Sequence, residues 1–348
     1  MGDEANNRSV LRKKWFAVVF GLVSSVFFVW LAARNVDLGE VGAVLSQVKW
    51  WWLAAYVAFA ALLQLIRIGR WTLLLYSLGE TRIRRSAKIG AVGVSAIFFL
   101  PARLGELVRP MLISDPERVG FGEAMATVVI ERLVDGIMVG IMLVLLGSFV
   151  APSPDTASAI QTTGLGVGGV FVGLTVGFFL AARFSVRSFA IIDKVFGRWP
   201  KLSEKLKNTI LRFREGLFAL VRSRHALSYL GITVLLWIAS GLSLIPIFEA
   251  FALDLPIAAG FVILGATAVG ILVPAGPTAV GPFHYAATLA ASWFLLPPDT
   301  ALSFAVLFHV GQVIANLAVG VVGIAAGGLS AGVSQIPLTA DDPRLTTE

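Results

Sequence analysis

The 348-residue sequence contains no cysteine, only three histidines and few charged side chains. Without cysteine the chain cannot form disulfide bonds, thiolate metal sites or cysteine nucleophiles, and three histidines are too few for a multi-histidine metal cage. Charged residues make up 14% of the chain, compared with about 25% in a typical soluble domain. We therefore exclude redox and zinc chemistry and expect neither a metal nor a cofactor.

Apolar residues take the place of the missing charge. They make up 57% of the chain, and the mean hydropathy is +0.84, which excludes a water-exposed globule. At about 20 residues per membrane-spanning helix, the hydrophobic runs allow about six to eight spans and little separate soluble domain. We predict an all-α integral membrane protein with one polytopic membrane domain, 15–328, between a basic N-terminus, 1–14, and a polar tail, 329–348.

The net charge of +7 is concentrated between the apolar runs. Residues 183–225 hold eleven Lys or Arg against three acidic residues, and Lys and Arg favour cytoplasmic loops. We predict a cytoplasmic loop here, with an amphipathic helix around Leu202–Val221 that contacts the anionic membrane surface. Ordinary charge bias of cytoplasmic loops explains the cluster as well. We expect both termini to be cytoplasmic, a cell (inner) membrane location and no nucleic-acid partner.

Two apolar runs are interrupted by proline and glycine. Ile89–Ile113 is broken at 101–106, and 256–296 is broken at 274–277. Both ends of the first run should face the cytoplasm, because the next span, from about Glu123, must run outward. We predict about six full spans and two interrupted or re-entrant helical hairpins. Matching breaks are typical of inverted-repeat transporters, but such breaks are common, so a repeat stays an open alternative.

Three charged residues lie within the fourth predicted span. Only fifteen residues follow Asp135 before Ala151, a length of about 22 Å, whereas the hydrocarbon core is about 30 Å thick. The turn containing Glu131 and Arg132 must therefore lie inside the membrane. Their helical spacing predicts that they meet and that Arg132 neutralises a carboxylate. An internal salt bridge, contact with a substrate and snorkelling all stay open.

Further arginines lie near the membrane boundary. Arg103, Glu106 and Arg109 recur at every third position after the first break, so they share one side of a helix. Two guanidinium groups there suit a phosphate clamp, because arginine binds phosphate in a bidentate manner. Arg67 and Arg70 end an apolar run. They either snorkel or, if the helix continues to residue 78, meet the carboxylates of the fourth span.

Two of the three histidines lie in the second half of the membrane domain. His284 follows the second break, and His309 shares a helical stripe with Gln312 and Asn316. Such a stripe is most often a set of interhelical hydrogen bonds. A proton-coupling histidine is the alternative, since the ordinary pKa of histidine is near 6.5.

Taken together, these motifs resemble the membrane domain of the lysylphosphatidylglycerol synthase/flippase family. The resemblance extends over about residues 12–328. The second break departs from the family pattern, because His284 stands roughly where many members have a glutamate. The motifs that carry the resemblance are Arg67-x-x-Arg70-Trp71 with Gly79, Leu100-Pro101-Ala102-Arg103-Leu104-Gly105-Glu106-x-x-Arg109, Glu131-Arg132-x-x-Asp135 and the break at 274–284.

The resemblance implies a protein that moves a lipid between leaflets or assists a lipid-linked sugar pathway. We expect a flippase-like transporter and no enzyme, because only 20 residues follow the last span and leave no room for an aminoacyl-transferase domain. The expected cargo is a phospholipid or a polyprenyl-phosphate-linked lipid with an anionic headgroup. The candidate binding residues are Arg67, Arg70, Arg103, Glu106, Arg109, Glu131, Arg132, Asp135 and His284.

Two other functions stay open. An intramembrane lipid-phosphate transferase or phosphatase would need a cluster of acidic metal ligands, and Arg132 beside Glu131 and Asp135 favours ion pairing over Mg²⁺ binding. Alternatively, the chain is an accessory membrane subunit whose basic loop binds a cytoplasmic synthase or glycosyltransferase.

Overall fold

The structure is a computed structural model that describes residues 22–100, 104–115, 118–184, 189–196 and 199–333. All regular secondary structure in these ranges is helical, as predicted. A 3-10 turn, Pro277–Ala279, lies between α12 and α13. The helices are α1 (Leu22–Ala33), α2 (Leu38–Ser46), α3 (Trp50–Ser77), α4 (Ile83–Phe99), α5 (Gly105–Ile113), α6 (Phe121–Val150), α7 (Pro154–Phe184), α8 (Phe189–Phe196), α9 (Pro200–Arg222), α10 (Ala226–Leu242), α11 (Ile245–Ala250), α12 (Ile257–Gly270), α13 (Pro282–Ser292), α14 (Pro298–Ala325) and α15 (Gly328–Val333).

Several helices are long and apolar enough to cross a membrane. By length and composition, four stretches qualify: Trp50–Ser77, Pro154–Arg183, Ala226–Ala250 and Pro298–Ala325. The 30 residues of α6 extend over about 45 Å, which also exceeds the hydrocarbon core of about 30 Å. The chain is therefore a multi-pass integral membrane protein.

The long helices connect two ends of the molecule. At one end the Lys49 N–H donates to the Ala250 carbonyl (3.0 Å), and the Asp37 N–H donates to Asp299 Oδ1 (2.9 Å). The 28 residues of α3 then lead over about 42 Å to Glu80. We call these two ends the Lys49 end and the Glu80 end.

Helices α4 and α5 form the first predicted hairpin. Its base is closed at the Glu80 end, where Arg82 Nη2 donates to Asp115 Oδ2 (3.0 Å), so both ends of the hairpin lie on the same side as predicted. The two helices pack closely because Gly105 has no side chain: a Cβ there would lie 2.0 Å from the Ala96 carbonyl oxygen.

Helices α12 and α13 form the second hairpin, with 14 and 11 residues. Both helices are shorter than the roughly 20 residues that a full span requires. Between them, Thr278 (φ 58°) and Ala279 (φ 55°) adopt left-handed backbone conformations that are costly for residues with a side chain. Helix α4 contacts the 3-10 turn, and Leu100 and Thr278 line the same cavity. The tips of the two hairpins therefore meet inside the molecule.

Small residues allow the second hairpin to pack closely in the largest core, which is built from α3, α6 and α11–α14. A Cβ at Gly260 would lie 2.7 Å from the Gly241 carbonyl oxygen of α10. Ala287, Ala290 and Ala291 of α13 are fully buried. Such small side chains bring helix backbones together and increase van der Waals contact, which stabilises helix association where lipid weakens the hydrophobic effect.

The basic segment forms the predicted amphipathic helix as α9. Its apolar residues Leu217 and Leu220 are buried, and α9 packs against α6. At Gly216, a Cβ would lie 2.9 Å from the Glu123 Cα atom. This part of the apolar face of α9 thus contacts protein and is not available for insertion into the membrane surface.

Helix α7 begins at Pro154, with polar residues in its first turns. Ser153 Oγ accepts a hydrogen bond from the Thr156 N–H (3.2 Å), as an N-cap residue does, and proline suits the first turn. The polar residues between Pro154 and Thr163 are therefore part of a helix.

An ion-pair network at the Glu80 end ties three parts of the chain together. Glu80 accepts hydrogen bonds from Arg82 (Nε 2.9 Å, Nη2 2.8 Å) and from Arg85 Nη1 (3.1 Å). Arg82 also binds Asp115 after α5, and Arg85 Nε donates to the Ala331 carbonyl of α15 (3.0 Å). The start of the predicted polar tail is therefore an ordered helix, whereas 1–14 and 334–348 lie outside the described residues.

We expect Glu80→Gln to lower the free energy of unfolding by about 2 kcal/mol near pH 7, because hydrogen bonds to an ionised acceptor are lost. Burial raises the pKa of Glu80, but the hydrogen bonds and charge of Arg82 outweigh it and hold the pKa below its ordinary value. Ionised Glu80 therefore stabilises the fold above the unfolded-state pKa of about 4.3, and this contribution is lost as the pH falls through the lower folded-state pKa. The midpoint of thermal unfolding in detergent, measured against pH, checks this.

The matched control is Glu40→Gln. Glu40 is exposed on α2 and forms no ion pair with the described residues, so its substitution should leave the midpoint unchanged. Equal destabilisation by the two substitutions would contradict the role of the network.

Candidate functional site

A cavity of about 280 Å³ lies where the two hairpin tips approach α3, α6 and α14. One side of it is lined by arginines and carboxylates from α3, α5 and α6. Other lining residues are apolar and include Val139, Leu264 and Ile271. The cavity is therefore amphipathic.

The centre of the polar side is a buried ion pair between α3 and α6. Arg70 donates to both carboxylate oxygens of Asp135, at 2.6 and 2.8 Å, and Nη2 lies 3.4 Å from Glu131 Oε1. Thr233 (3.4 Å) is a further contact of Arg70, and Trp237 Nε1 donates to Asp135 Oδ1 (3.0 Å). Because α3 continues beyond residue 70, Arg70 reaches the carboxylates of α6, as the sequence indicated for a continuous helix.

Arg109 extends the ion pairing to the first hairpin. Its Nη2 atom lies 2.7 Å from Glu131 Oε2, and its guanidinium carbon lies 5.2 Å from the centre of the Trp71 ring. The side chain of Arg109 crosses Gly93 of α4, where a Cβ would lie 1.9 Å from Arg109 Cγ. Gly93 thus provides the space that lets Arg109 reach Glu131.

The predicted pairing of Arg132 with a carboxylate of its own helix is wrong. Arg132 Nη2 lies 3.0 Å from Glu106 Oε1 of α5, whereas Glu131 and Asp135 bind Arg70. Successive residues on a helix point about 100° apart because a turn holds 3.6 residues. Arg132 therefore reaches Glu106 of α5, while its neighbour Glu131 points to the space between Arg70 of α3 and Arg109 of α5.

Two polar side chains of α3 have no partner within the described part of the chain. Arg67 lines the cavity without an ion pair or hydrogen bond, and its Nε atom is buried. Gln64, one turn earlier, also lines the cavity, is 7% exposed and makes no hydrogen bond. Among the described lining residues, four arginines face three carboxylates, so the cavity carries one excess positive charge.

The two histidines form a hydrogen-bonded chain at the second break. His309 Nε2 lies 2.9 Å from the Thr278 carbonyl, and His309 Nδ1 lies 3.3 Å from His284 Nε2. A carbonyl only accepts, so Nε2 of His309 carries the proton and its Nδ1 accepts from His284. His284 Nδ1 then accepts from the Gly281 N–H (3.5 Å). Both histidines are neutral in this arrangement, and His309 holds the left-handed segment in position.

The structure brings most of the candidate residues to one cavity. Arg103 lies outside the described residues. His284 approaches the cavity through His309 and Thr278, and the predicted polar stripe of α14 contributes Gln312 and Asn316 to the lining. Sequence reasoning missed Gln64 and Trp237. The only signal for Gln64 was a polar residue three positions before Arg67 in an apolar helix, and none indicated Trp237.

A family model described as the lysylphosphatidylglycerol synthase TM region matches residues 18–320. Glycosyltransferase AglD of Haloferax volcanii is 28% identical over 325 residues, which cover 84% of this chain and 51% of that protein. The chain therefore spans about half the length of this curated relative. No solved structure matches the chain.

We expect Arg70→Met to lower the free energy of unfolding by about 3–5 kcal/mol, because it leaves buried Asp135 without its charged partner. Removing the carboxylate as well, in Arg70→Met with Asp135→Leu, should restore much of that loss. Arg132→Met is the matched control, since its pair with Glu106 is partly exposed (37% and 20%) and should contribute about 1 kcal/mol or less. Thermal unfolding in detergent measures all three variants, and equal losses in the two single variants would contradict the central role of Arg70.

We expect His309→Ala to speed amide hydrogen exchange in residues 274–281 about fivefold, because a hydrogen bond with a net value of about 1 kcal/mol to the Thr278 carbonyl is lost. The matched control is His225→Ala, since His225 lies beside Ser77 at the Glu80 end. Exchange that stays at the wild-type rate in His309→Ala would show that the histidine does not hold this segment.

Proposed function

Because this chain belongs to the family of the lysylphosphatidylglycerol synthase TM region, we propose that it is a flippase-like transporter for a lipid with an anionic headgroup. Its cargo is a phospholipid or a lipid-linked intermediate, which it moves between the two leaflets. The observation that carries the proposal is Arg67, which has no ion pair with the described residues and lines an amphipathic cavity where two interrupted hairpins meet.

The charge balance of the cavity favours an anionic ligand. A charged side chain at membrane depth is expensive and normally pairs with an opposite charge or faces water. Arg70, Arg109 and Arg132 have carboxylate partners, and Arg67 has none among the described residues. A phosphate supplies the missing negative charge, and the planar guanidinium matches two of its oxygens.

The apolar wall of the cavity suits the rest of a lipid. Leu272 and Val273, at the end of α12, line the cavity together with Leu100 at the first hairpin tip. A lipid has a charged headgroup and apolar chains, and this cavity offers a matching surface to each part. Interrupted helices at membrane depth are tolerated where they are buried in protein or line a wet cavity, which is how transporters build central binding sites.

We assign the Glu80 end to the cytoplasm of a cell membrane, because its loops carry the excess of Lys and Arg. In this orientation α3 and α14 run inward, and both termini of the chain are cytoplasmic. We favour a transporter over an enzyme because Glu131, Asp135 and Glu106 all bind arginines, which leaves them unsuited to act as metal ligands or proton-transfer groups.

A second candidate is an accessory membrane subunit of a glycan or lipid synthase. It is favoured by the relative named as a glycosyltransferase, of which this chain covers about half. In this case a cytoplasmic enzyme binds exposed basic residues of α9, including Lys205, Arg212 and Arg222. Copurification of such an enzyme, lost when these three residues are neutralised, supports this candidate.

We expect Arg67→Gln to reduce transport of acyl-labelled phosphatidylglycerol in proteoliposomes about tenfold or more, because a charge-assisted contact contributes about 1.5–3 kcal/mol. The unfolding midpoint should not fall, since Arg67 has no hydrogen bond or close ion pair with the described residues to lose and its buried charge is removed. Arg84→Gln is the matched control: it removes an exposed positive charge at the Glu80 end, outside the cavity, and should leave transport intact. Full transport by Arg67→Gln would overturn the assignment of the headgroup to this arginine.

A further inference from the structure

We propose that the headgroup is a phosphodiester-linked ring polyol, that is, a sugar or cyclitol with more hydroxyl groups than glycerol, and that aminoacylated phospholipids are not the cargo. This inference rests on the proposed lipid transport and specifies its substrate class. It is carried by three features of the described lining: the unpartnered amide of Gln64 next to Arg67, the free amide oxygens of Gln312 and Asn316, and the pairing of every carboxylate.

Gln64 and Arg67 lie three residues apart, so their side chains are neighbours on one face of α3. Gln64 is buried, with only 7% of its surface exposed, yet its amide has no hydrogen-bond partner in the described chain. Burying an amide without a partner is unfavourable. The amide offers two N–H donors and an acceptor oxygen, which suit hydroxyl groups attached to a phosphate that Arg67 holds.

Two further amides line the cavity from α14. Gln312 Nε2 donates to the Tyr56 hydroxyl (2.9 Å), and Asn316 Nδ2 donates to the Gln312 carbonyl (2.8 Å). These bonds fix the orientation of both amides and use only their N–H groups. The acceptor oxygens Oε1 and Oδ1 have no hydrogen bond from the described chain, so they can accept from hydroxyl groups of a ligand.

The carboxylates argue against a cationic headgroup. Glu131 is held by Arg70 and Arg109, Asp135 by Arg70, and Glu106 by Arg132. An aminoacyl headgroup would bring ammonium groups that need a free carboxylate. In this cavity they would instead meet the excess positive charge of Arg67. Neutral hydroxyl groups meet no such repulsion.

The test compares three lipids with identical dioleoyl chains: phosphatidylinositol, phosphatidylglycerol and lysylphosphatidylglycerol. Binding to the purified full chain in detergent is measured by native mass spectrometry, and transport is measured in proteoliposomes. We expect phosphatidylinositol to bind about tenfold more tightly than phosphatidylglycerol, because of the additional hydroxyl contacts. We expect no specific binding of lysylphosphatidylglycerol.

Two variants of Gln64 test the residue itself. Gln64→Leu should lower the affinity for phosphatidylinositol to that for phosphatidylglycerol and leave the latter unchanged. Gln64→Glu would give Arg67 a carboxylate neighbour and should weaken the binding of both phosphatidylinositol and phosphatidylglycerol. This second variant keeps the test informative if the leucine variant folds poorly. Gln47→Leu, at the end of α2 and outside the cavity, is the matched control and should bind all lipids as the wild type does.

The outcomes separate this inference from the proposed function. If phosphatidylinositol and phosphatidylglycerol bind equally and Arg67→Gln abolishes both, anionic lipid transport stands and the polyol assignment is overturned. Preferred binding of lysylphosphatidylglycerol also overturns the polyol assignment. If the wild type neither binds nor moves any anionic lipid, the proposed function itself fails.

Discussion

The bond between Arg70 of α3 and Asp135 of α6 is the interaction on which the rest of the site depends. Charges at membrane depth are tolerated only when they are compensated, and the two N–O distances of 2.6 and 2.8 Å give this pair bidentate geometry. Glu131 then links the pair to Arg109 on the first hairpin. Glu131 and Asp135 of α6 thereby join the full-length helix α3 to the first hairpin, and they hold this hairpin beside the cavity.

Because most charges of the cavity are paired, the polar groups without a partner among the described residues indicate where a ligand can bind. Three arginines of the cavity pair with carboxylates, whereas Arg67 and the neighbouring Gln64 have no partner among the described residues. An anion site and a hydrogen-bonding site without partners in the described chain therefore lie one turn apart. At the second break, the His284–His309 pair holds a left-handed segment that contributes to the lining. Some polar groups of the cavity are thus bound to other side chains, and the donors and acceptors that have no partner in the described chain are available to a ligand.

Much of the fold could be predicted from local patterns. The break at 101–106 and the charge of the flanking loops predicted a hairpin with both ends on one side, and the Arg82–Asp115 contact agrees. The sequence predicted most residues of the site, but it did not predict correctly which of them form ion pairs. Arg132 was assigned to its own helix because spacing along α6 was the only distance available, whereas Glu106 of α5 is its partner.

The class of the protein and most charged residues of its cavity could be predicted from the sequence, because hydrophobic run length and the cost of buried charge are properties of composition and spacing. Which charges pair with each other depends on the tertiary fold. Arg70 and Asp135 are 65 positions apart and His284 and His309 are 25 apart, and no periodicity specifies such contacts. The identity of Arg67 as the uncancelled charge depends on helix rotation and on the close approach at Gly93, which are set by packing across the whole bundle.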